Sequence, residues 1–364
     1  MRRPDGRWEA RISFEGKRKS FYGKTRQEAA RLLAKGLRDR DSGLPLVSER
    51  QTLEQYLATW LATIKPTVKP RTYQSYENLL RVHVFPRLGT VSLSKLSPQQ
   101  LQVLYATDLE TGSSTTTVHH IHMVLHRALH AAFRLGLVQR NVCDLVDPPR
   151  MVHHEIVVLS AEQVREFLEA VKGERLEALF VLAITTGMRQ GELLALRWKD
   201  LDLDAASLTI RATLQRLRGQ GFVFSSPKTR KSWRKITLSA RAVEVLRRHR
   251  TQQATEGAAL GSGWDEQDLV FPNGMGRPLE GGNVLQRELR PLLAKAGLPK
   301  IRFHDLRHTA ATLLLLQGVH VKIVSGLLGH ASVAITMDLY SHVLPNMQRQ
   351  AASAMDTLLD SYDS

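Results

Sequence analysis

The chain has 364 residues, 43% hydrophobic and 24% charged, a globular balance with length enough for two or three domains and substantial cores. A single cysteine, Cys143, excludes an internal disulfide, no apolar run is long enough to span a membrane, and Met1-Arg2-Arg3-Pro4 lacks the apolar core of a secretory signal, so a soluble cytoplasmic protein is expected. Lys plus Arg number 51 against 35 Asp plus Glu, a formal net charge of +16, which excludes an acidic disordered chain and makes a polyanion the first partner to consider.

The first 40 residues hold thirteen Lys/Arg and five acids. Trp8, Ala10, Ile12 and Phe14 alternate with Glu9, Arg11 and Ser13, the pattern of a half-buried strand with Glu9 on its polar face. Glu15-Gly16 reads as a turn and residues 17–22 as the return strand. Thr25 with Glu28 forms a capping box that opens a helix over residues 26–40. The alternative is a poorly ordered basic tail. Ser42-Gly43-Leu44-Pro45 breaks the pattern and bounds a small module, residues 1–45.

From Thr52 the pattern becomes helical: Leu53, Tyr56, Leu57, Trp60, Leu61 and Ile64 recur at i, i+3, i+4. Pro66 and Pro70 stop that helix, and another starts at Thr72. Ser97 caps a third, with Pro98 at its first position. Residues 115–135 form a long helix closed by Gly136, and an all-helical domain over residues 50–147 is expected. His119, His122, His126 and His130 lie along that long helix, the last three on one side. No carboxylate or thiol lies near them in the helix, which counts against a metal site. A buried polar face is one remaining reading. The preferred one is a DNA-facing stripe that gains protons beside phosphate, with His126 and His130 as contacts.

Residues 153–364 mix helix and strand. Ser160 and Gln163 make a capping box, and residues 176–185 read as a buried helix. Residues 208–217, 221–224 and 235–238 are short strand candidates, and helices resume at Arg241. The fold expected is multidomain, mainly α with small β elements.

Four segments of this region suit phosphodiester chemistry. An anionic diester needs its charge neutralised, for which the planar fork of Arg is suited, and its leaving oxygen needs a proton. Arg189 and Glu192 share a helical face at i, i+3, a spacing that on its own describes a surface ion pair. Lys228, Arg230 and Lys231 sit in a basic stretch between strands, expected as a β-hairpin that probes a DNA groove or backbone; the alternative is a solvated loop. His304 and Arg307 face one way at i, i+3. His330 follows a Gly329 helix cap, and Tyr340 lies ten residues on.

Singly these segments are weak, but in this order and spacing they resemble the active-site set of the tyrosine recombinases, the phage integrase family. Residues 185–198 and 328–332 are among the family's most specific stretches, and residues 337–343 support the choice of Tyr340. The helical block resembles the family's core-binding, SAM-like domain. The basic module, with residues 6–11 and the following strand, resembles the arm-binding domain of phage and conjugative-element integrases. One departure is Gly326, where family members often carry charged side chains.

The resemblance implies that Tyr340 attacks the scissile phosphate and forms a 3′-phosphotyrosine, with no ATP, metal or other cofactor. Arg189 and Arg307 bind the non-bridging oxygens, Lys228 protonates the leaving 5′-oxygen, His304 assists proton transfer, His330 bonds the phosphate and Glu192 supports the site from behind. Arg7, Arg11, Lys17, Arg18, Lys19, Arg230, Lys231, His126 and His130 are the expected further DNA contacts. The implied partners are double-stranded DNA at core and arm attachment sites and a homotetramer on that DNA, with an excisionase and a host DNA-bending protein as candidates; no membrane is involved. A prokaryotic, nucleoid-associated location is implied. A tail helix over residues 346–359 carries an apolar stripe that packs on a neighbouring protomer or in cis. Two other classes are a type IB-like topoisomerase and a catalytically silent architectural protein.

Overall fold

A computed structural model describes residues 1–14, 17–41, 51–152, 156–226, 233–330 and 332–339, with isolated helical positions at 353, 355, 356 and 359. Most of the expected tail helix therefore lies outside the described residues. These residues form two compact units, 1–154 and 155–364.

The first unit begins with antiparallel strands β1 (Trp8–Phe14) and β2 (Lys17–Gly23), followed by α1 (Arg26–Asp41), which packs on both. Thr25 Oγ1 accepts from the Glu28 amide at 3.1 Å as expected, but Glu28 Oε2 accepts from the Lys24 amide at 2.8 Å, one residue before the cap amide that a capping box would use. Glu9 corrects the alternation argument, because it is buried at 6% exposure. The first residues fold back across β1: the Met1 amine donates to the Glu9 carbonyl at 2.7 Å, and Arg11 forks both Glu9 carboxylate oxygens at 2.8 and 2.9 Å. The Arg11 bond, then one from Ser20, holds the Glu9 carboxyl down at about 2.

The helical block comprises α2 (Leu53–Ile64), α3 (Pro70–Leu79), α4 (Phe85–Leu88), α5 (Pro98–Glu110) and α6 (Thr115–Arg134). Thr52, Ser97 and Ser114 each cap their helix with a side-chain oxygen. Leu53, Leu57, Leu80, Leu101, Ile121 and Leu125 are fully buried, each worth about 1.5–3 kcal/mol of transfer free energy. Pro70 begins a helix rather than ending one. It occupies the first turn of α3, where a missing N–H costs nothing, so that helix starts before Thr72.

In the second unit α7 (Ala161–Ala170) leads to α8 (Glu177–Thr186), which is apolar almost all round and packs against α10 (Ala240–Leu260) and α13 (Phe303–Leu316). Between them lie α9 (Gln190–Leu194) and five strands: β3 (Leu201–Asp202), β4 (Ser207–Ile210), β5 (Thr213–Leu217), β6 (Gly221–Ser225) and β7 (Arg234–Thr237). The expected long strand 208–217 breaks at Arg211-Ala212 into β4 and β5. The hairpin is β5–β6, turning at residues 218–220, while β7 pairs with β4 in a β3–β4–β7 sheet. β6 and β7, which flank the basic stretch, belong to different sheets and do not pair with each other. Residues 227–232 themselves are not described. Helices α11 (Gly281–Asn283), α12 (Arg290–Lys295), α14 (Val321–Leu328) and α15 (Val333–Leu339) complete the unit.

Candidate active site

Helix α8 ends at Gly187, whose φ of +60° is the left-handed cap conformation. A Cβ there would stand 2.6 Å from Leu328 Cδ2, so the turn needs glycine for backbone and for space. The chain then re-enters a helix at Arg189, the residue before α9. Glu192 Oε2 accepts from the Arg189 backbone amide at 3.0 Å, and Oε1 accepts from Arg189 Nη1 at 2.9 Å. The i, i+3 spacing does make an ion pair, but Glu192 is 4% exposed, so it is a buried anchor and not a surface pair.

Helix α13 supplies Arg307, His304 and His308. Its start is fixed by Asp305, which accepts from the Arg302 amide at 2.7 Å and from the Arg302 guanidinium. Arg307 is 2% exposed and donates to the carbonyls of Gly187 at 2.8 Å and Leu328 at 2.7 Å. His304, one turn back, keeps an exposed edge and meets His308 edge to face at 4.9 Å.

Helix α14 ends at Gly329 with φ +66°, again a left-handed cap, and His330 follows. The carbonyls at this end lack helical partners and carry the negative end of the helix dipole. Three arginines from three elements take them in succession. Arg234 Nε reaches Leu327 O at 2.6 Å, Arg307 Nη2 reaches Leu328 O at 2.7 Å, and Arg189 Nη2 reaches Gly329 O at 3.4 Å. Arg234 also forks Glu192, at 3.0 and 3.3 Å.

Burial and this density of cations together set the histidines. Burial first, then Arg307 and Arg189, pull His330 down to about 4. Burial, then His308, Arg307 and Arg189, pull His304 to about 4 as well. Both rings are therefore neutral at neutral pH. His330 Nδ1 lies 2.8 Å from Thr336 Oγ1 on α15, the helix that leads up to position 340.

The structure thus brings together Arg189, Glu192, His304, Arg307 and His330. Lys228, Arg230, Lys231 and Tyr340 lie outside the described residues. Sequence reasoning missed Arg234 and Thr336. Gly326, the departure from the family pattern, is exposed, and a Cβ there meets nothing within 4 Å.

The other expected contacts are placed less uniformly. Arg7 pairs with Asp5 at 2.8 Å and Arg11 with Glu9. The side chains of Lys17, Arg18 and Lys19 lie outside the described residues. The histidine stripe turns inward at His122, which is buried against Tyr105 Oη at 3.1 Å and is not DNA-facing. His126 donates to Asp144 Oδ1 at 2.8 Å, a carboxylate brought in from beyond the helix, and His130 is exposed and stacks on His126.

Comparison with known proteins gives a consistent outcome. Residues 157–347 match the model of the phage integrase family, and residues 52–107 match the phage integrase N-terminal SAM-like domain. The chain is 32% identical to a tyrosine recombinase XerC-like protein of Caldanaerobacter subterraneus subsp. tengcongensis, covering 94% of this chain and 92% of that protein. It is 27% identical to the ICEBs1 integrase of Bacillus subtilis, covering 92% and 91%. In fold it is similar to the Tn1549 transposon integrase in complex with transposon right end DNA, with a TM-score of 0.71 and 22% identity over 83% of this chain and all of that one. A lambda integrase tetramer bound to a Holliday junction gives a TM-score of 0.59 at 18% identity, covering 93% of each chain.

Proposed function

This chain belongs to the phage integrase family, and we propose that its DNA cleavage and rejoining run through Tyr340, Arg189, Arg307, Lys228, His304 and His330. The chain is a site-specific tyrosine recombinase that integrates a mobile element. The observation that carries the residue assignment is the α14 terminus. Two of the proposed arginines converge there, His330 follows it directly, and burial, helped by the nearby cations, keeps His304 and His330 neutral.

In this mechanism the Tyr340 oxygen attacks the scissile phosphorus and gives up its proton, with neutral His304 assisting the transfer. The bond to the 5′-oxygen breaks, and that oxygen takes a proton from Lys228. Arg189, Arg307 and His330 meet the non-bridging oxygens, most strongly as charge builds in the five-coordinate transition state. The product is a phosphotyrosine diester that keeps the energy of the broken bond. A 5′-hydroxyl from another duplex then attacks it and releases Tyr340. Glu192 holds Arg189 in place from behind.

The partner proposed is double-stranded DNA, with core sites bound by the helical block and the second unit and arm sites by residues 1–45. Exchange proceeds in a tetramer through a four-way junction, the assembly described for lambda integrase. The location proposed is the cytoplasm, on nucleoid DNA, with an excisionase and a DNA-bending host protein setting direction. No described helix is long and apolar enough to cross a membrane.

The test is covalent trapping. Nicked duplexes built from the DNA flanking the coding sequence are incubated with the full chain and resolved in SDS. An adduct that maps to Tyr340 and is absent from Tyr340→Phe is expected. Tight binding without any adduct would defeat the assignment.

A further inference from the structure

Arg234 opens β7 and has no role in the mechanism above, yet it is the most enclosed guanidinium beside Glu192. Its side chain is 8% exposed, against 38% for Arg189. It forks both Glu192 oxygens and spends its Nε on Leu327 O. The backbone makes room for it: a Cβ on Gly329 would stand 2.7 Å from Arg234 Nη1 and 3.0 Å from Cζ. Burying a guanidinium this deeply is expensive, and a well-packed apolar side chain commonly serves stability as well or better. The arrangement calls for a reason other than packing.

That reason lies in what the side chain connects. Glu192 is shared: each of its oxygens accepts from both Arg189 and Arg234. One carboxylate between two guanidiniums leaves a net positive charge, so Arg189 is anchored without being neutralised. At its other end Arg234 fixes the turn that presents Gly329 O to Arg189 and delivers His330. We propose that Arg234 is a positioning residue for DNA cleavage, sharing Glu192 with Arg189 and pinning the turn at residues 327–329 so that Arg189 and His330 address one phosphate. This rests on the reading that Arg189 and Tyr340 act in the reaction.

The test compares Arg234→Lys, which keeps the charge but loses the fork, and Arg234→Met, which keeps the volume, in the full chain. Single-turnover adduct formation is measured on the nicked duplex that wild type converts, alongside affinity for the same duplex and the melting temperature. Each variant is expected to slow adduct formation about 10²-fold, the scale of an ångström's misplacement, with affinity little changed. In an Arg189→Lys background the further loss from Arg234→Lys is expected to be much smaller, because both changes remove the same alignment. A merely structural role predicts losses that multiply and a melting temperature that falls with them. Wild-type rates in both variants, or multiplying losses, overturn the inference, and if Arg234→Met does not fold, Arg234→Lys decides. If Arg189→Lys and Tyr340→Phe lose the adduct but the Arg234 variants do not, only this inference fails. If wild type forms no Tyr340 adduct, the reading of the site fails first and takes this inference with it.

Discussion

The two ends of the molecule hold their arginines in opposite ways. In residues 1–23, Arg7 pairs with Asp5, and Arg11 forks Glu9, which also has Arg3 at 3.9 Å, so these guanidiniums are met by carboxylates. At the candidate site Arg307 meets the carbonyls of Gly187 and Leu328, and Arg189 and Arg234 divide one carboxylate. A carbonyl fixes the geometry of a guanidinium and leaves its charge in place. The neighbours differ too: burial first, with Arg307 and Arg189 adding to it, drives His304 and His330 to about 4, whereas bonds from Arg11 and Ser20 drive the carboxyl of Glu9 to about 2. In the first region carboxylates tie up Arg7 and Arg11, whereas at the site the charge of Arg307 is left for a phosphate.

The largest effect should come from removing that charge. Arg307→Ala is expected to cut single-turnover adduct formation by about 10²–10³-fold, the loss typical of removing one donor aimed at transition-state charge. It also leaves two buried carbonyls short of a donor, at about 1–3 kcal/mol each, so a lower melting temperature is expected as well. Adduct formation near the wild-type rate would show that carbonyl-held charge is not a reserve for the phosphate, and the contrast between the two ends would lose its meaning.

The pH response should separate the regions next. A histidine whose folded pKa lies below its unfolded value takes up protons on unfolding, so its stabilising contribution is full above about 6.5 and is lost as pH falls toward about 4. Glu9, held at about 2 against 4.5, contributes fully above 4.5 and loses that only below it. Between pH 7 and 5 the site should therefore loosen while the Glu9–Arg11 pair does not respond. Hydrogen exchange resolved by region and corrected for its intrinsic pH dependence measures this. A His304→Gln/His330→Gln variant should show a shallower response around the site, with a remainder from His249 and His308, which burial also depresses. A response confined to residues 1–23 would contradict the assignment of causes.

Legibility in the sequence followed the same division. Arg189, Glu192, His304, Arg307 and His330 were picked out by their resemblance to a family pattern, because each segment alone was weak, while the Gly329 cap followed from local turn chemistry. Arg234 could not be read, since whether a charge in a basic run is solvated or buried is decided by elements 42 and 93 residues away. Glu9 was misread because alternation within a strand carries no notice of Met1 folding back over it. His122 was readable after all: Val118, His122, Leu125 and Leu129 follow one apolar helical face, and all four are buried. The break between β4 and β5, and the partner chosen by β7, are matters of long-range pairing that short strand patterns leave open.

The smallest effect sharpens the other side of the comparison. If the arginines of the first module contact arm-site DNA, a phosphate must displace Asp5 from Arg7 before binding it. That pair is exposed on both sides, at 59% and 41%, and an exposed ion pair is worth only about 0.2–1 kcal/mol. Asp5→Asn should therefore tighten binding to an arm-site duplex by no more than a few-fold. It should also steepen the dependence on salt, because Arg7 then meets DNA without first leaving a carboxylate. Adduct formation on the core duplex should not change, since Asp5 belongs to the first module and not to the catalytic unit. Fluorescence anisotropy across a salt series reads both affinity and slope. Tighter binding with the steeper slope would mean that the module restrains its own affinity through its acids. An unchanged slope would place the arm contacts on cations other than Arg7, and the basic strand that carries Lys17, Arg18 and Lys19 would be where to look.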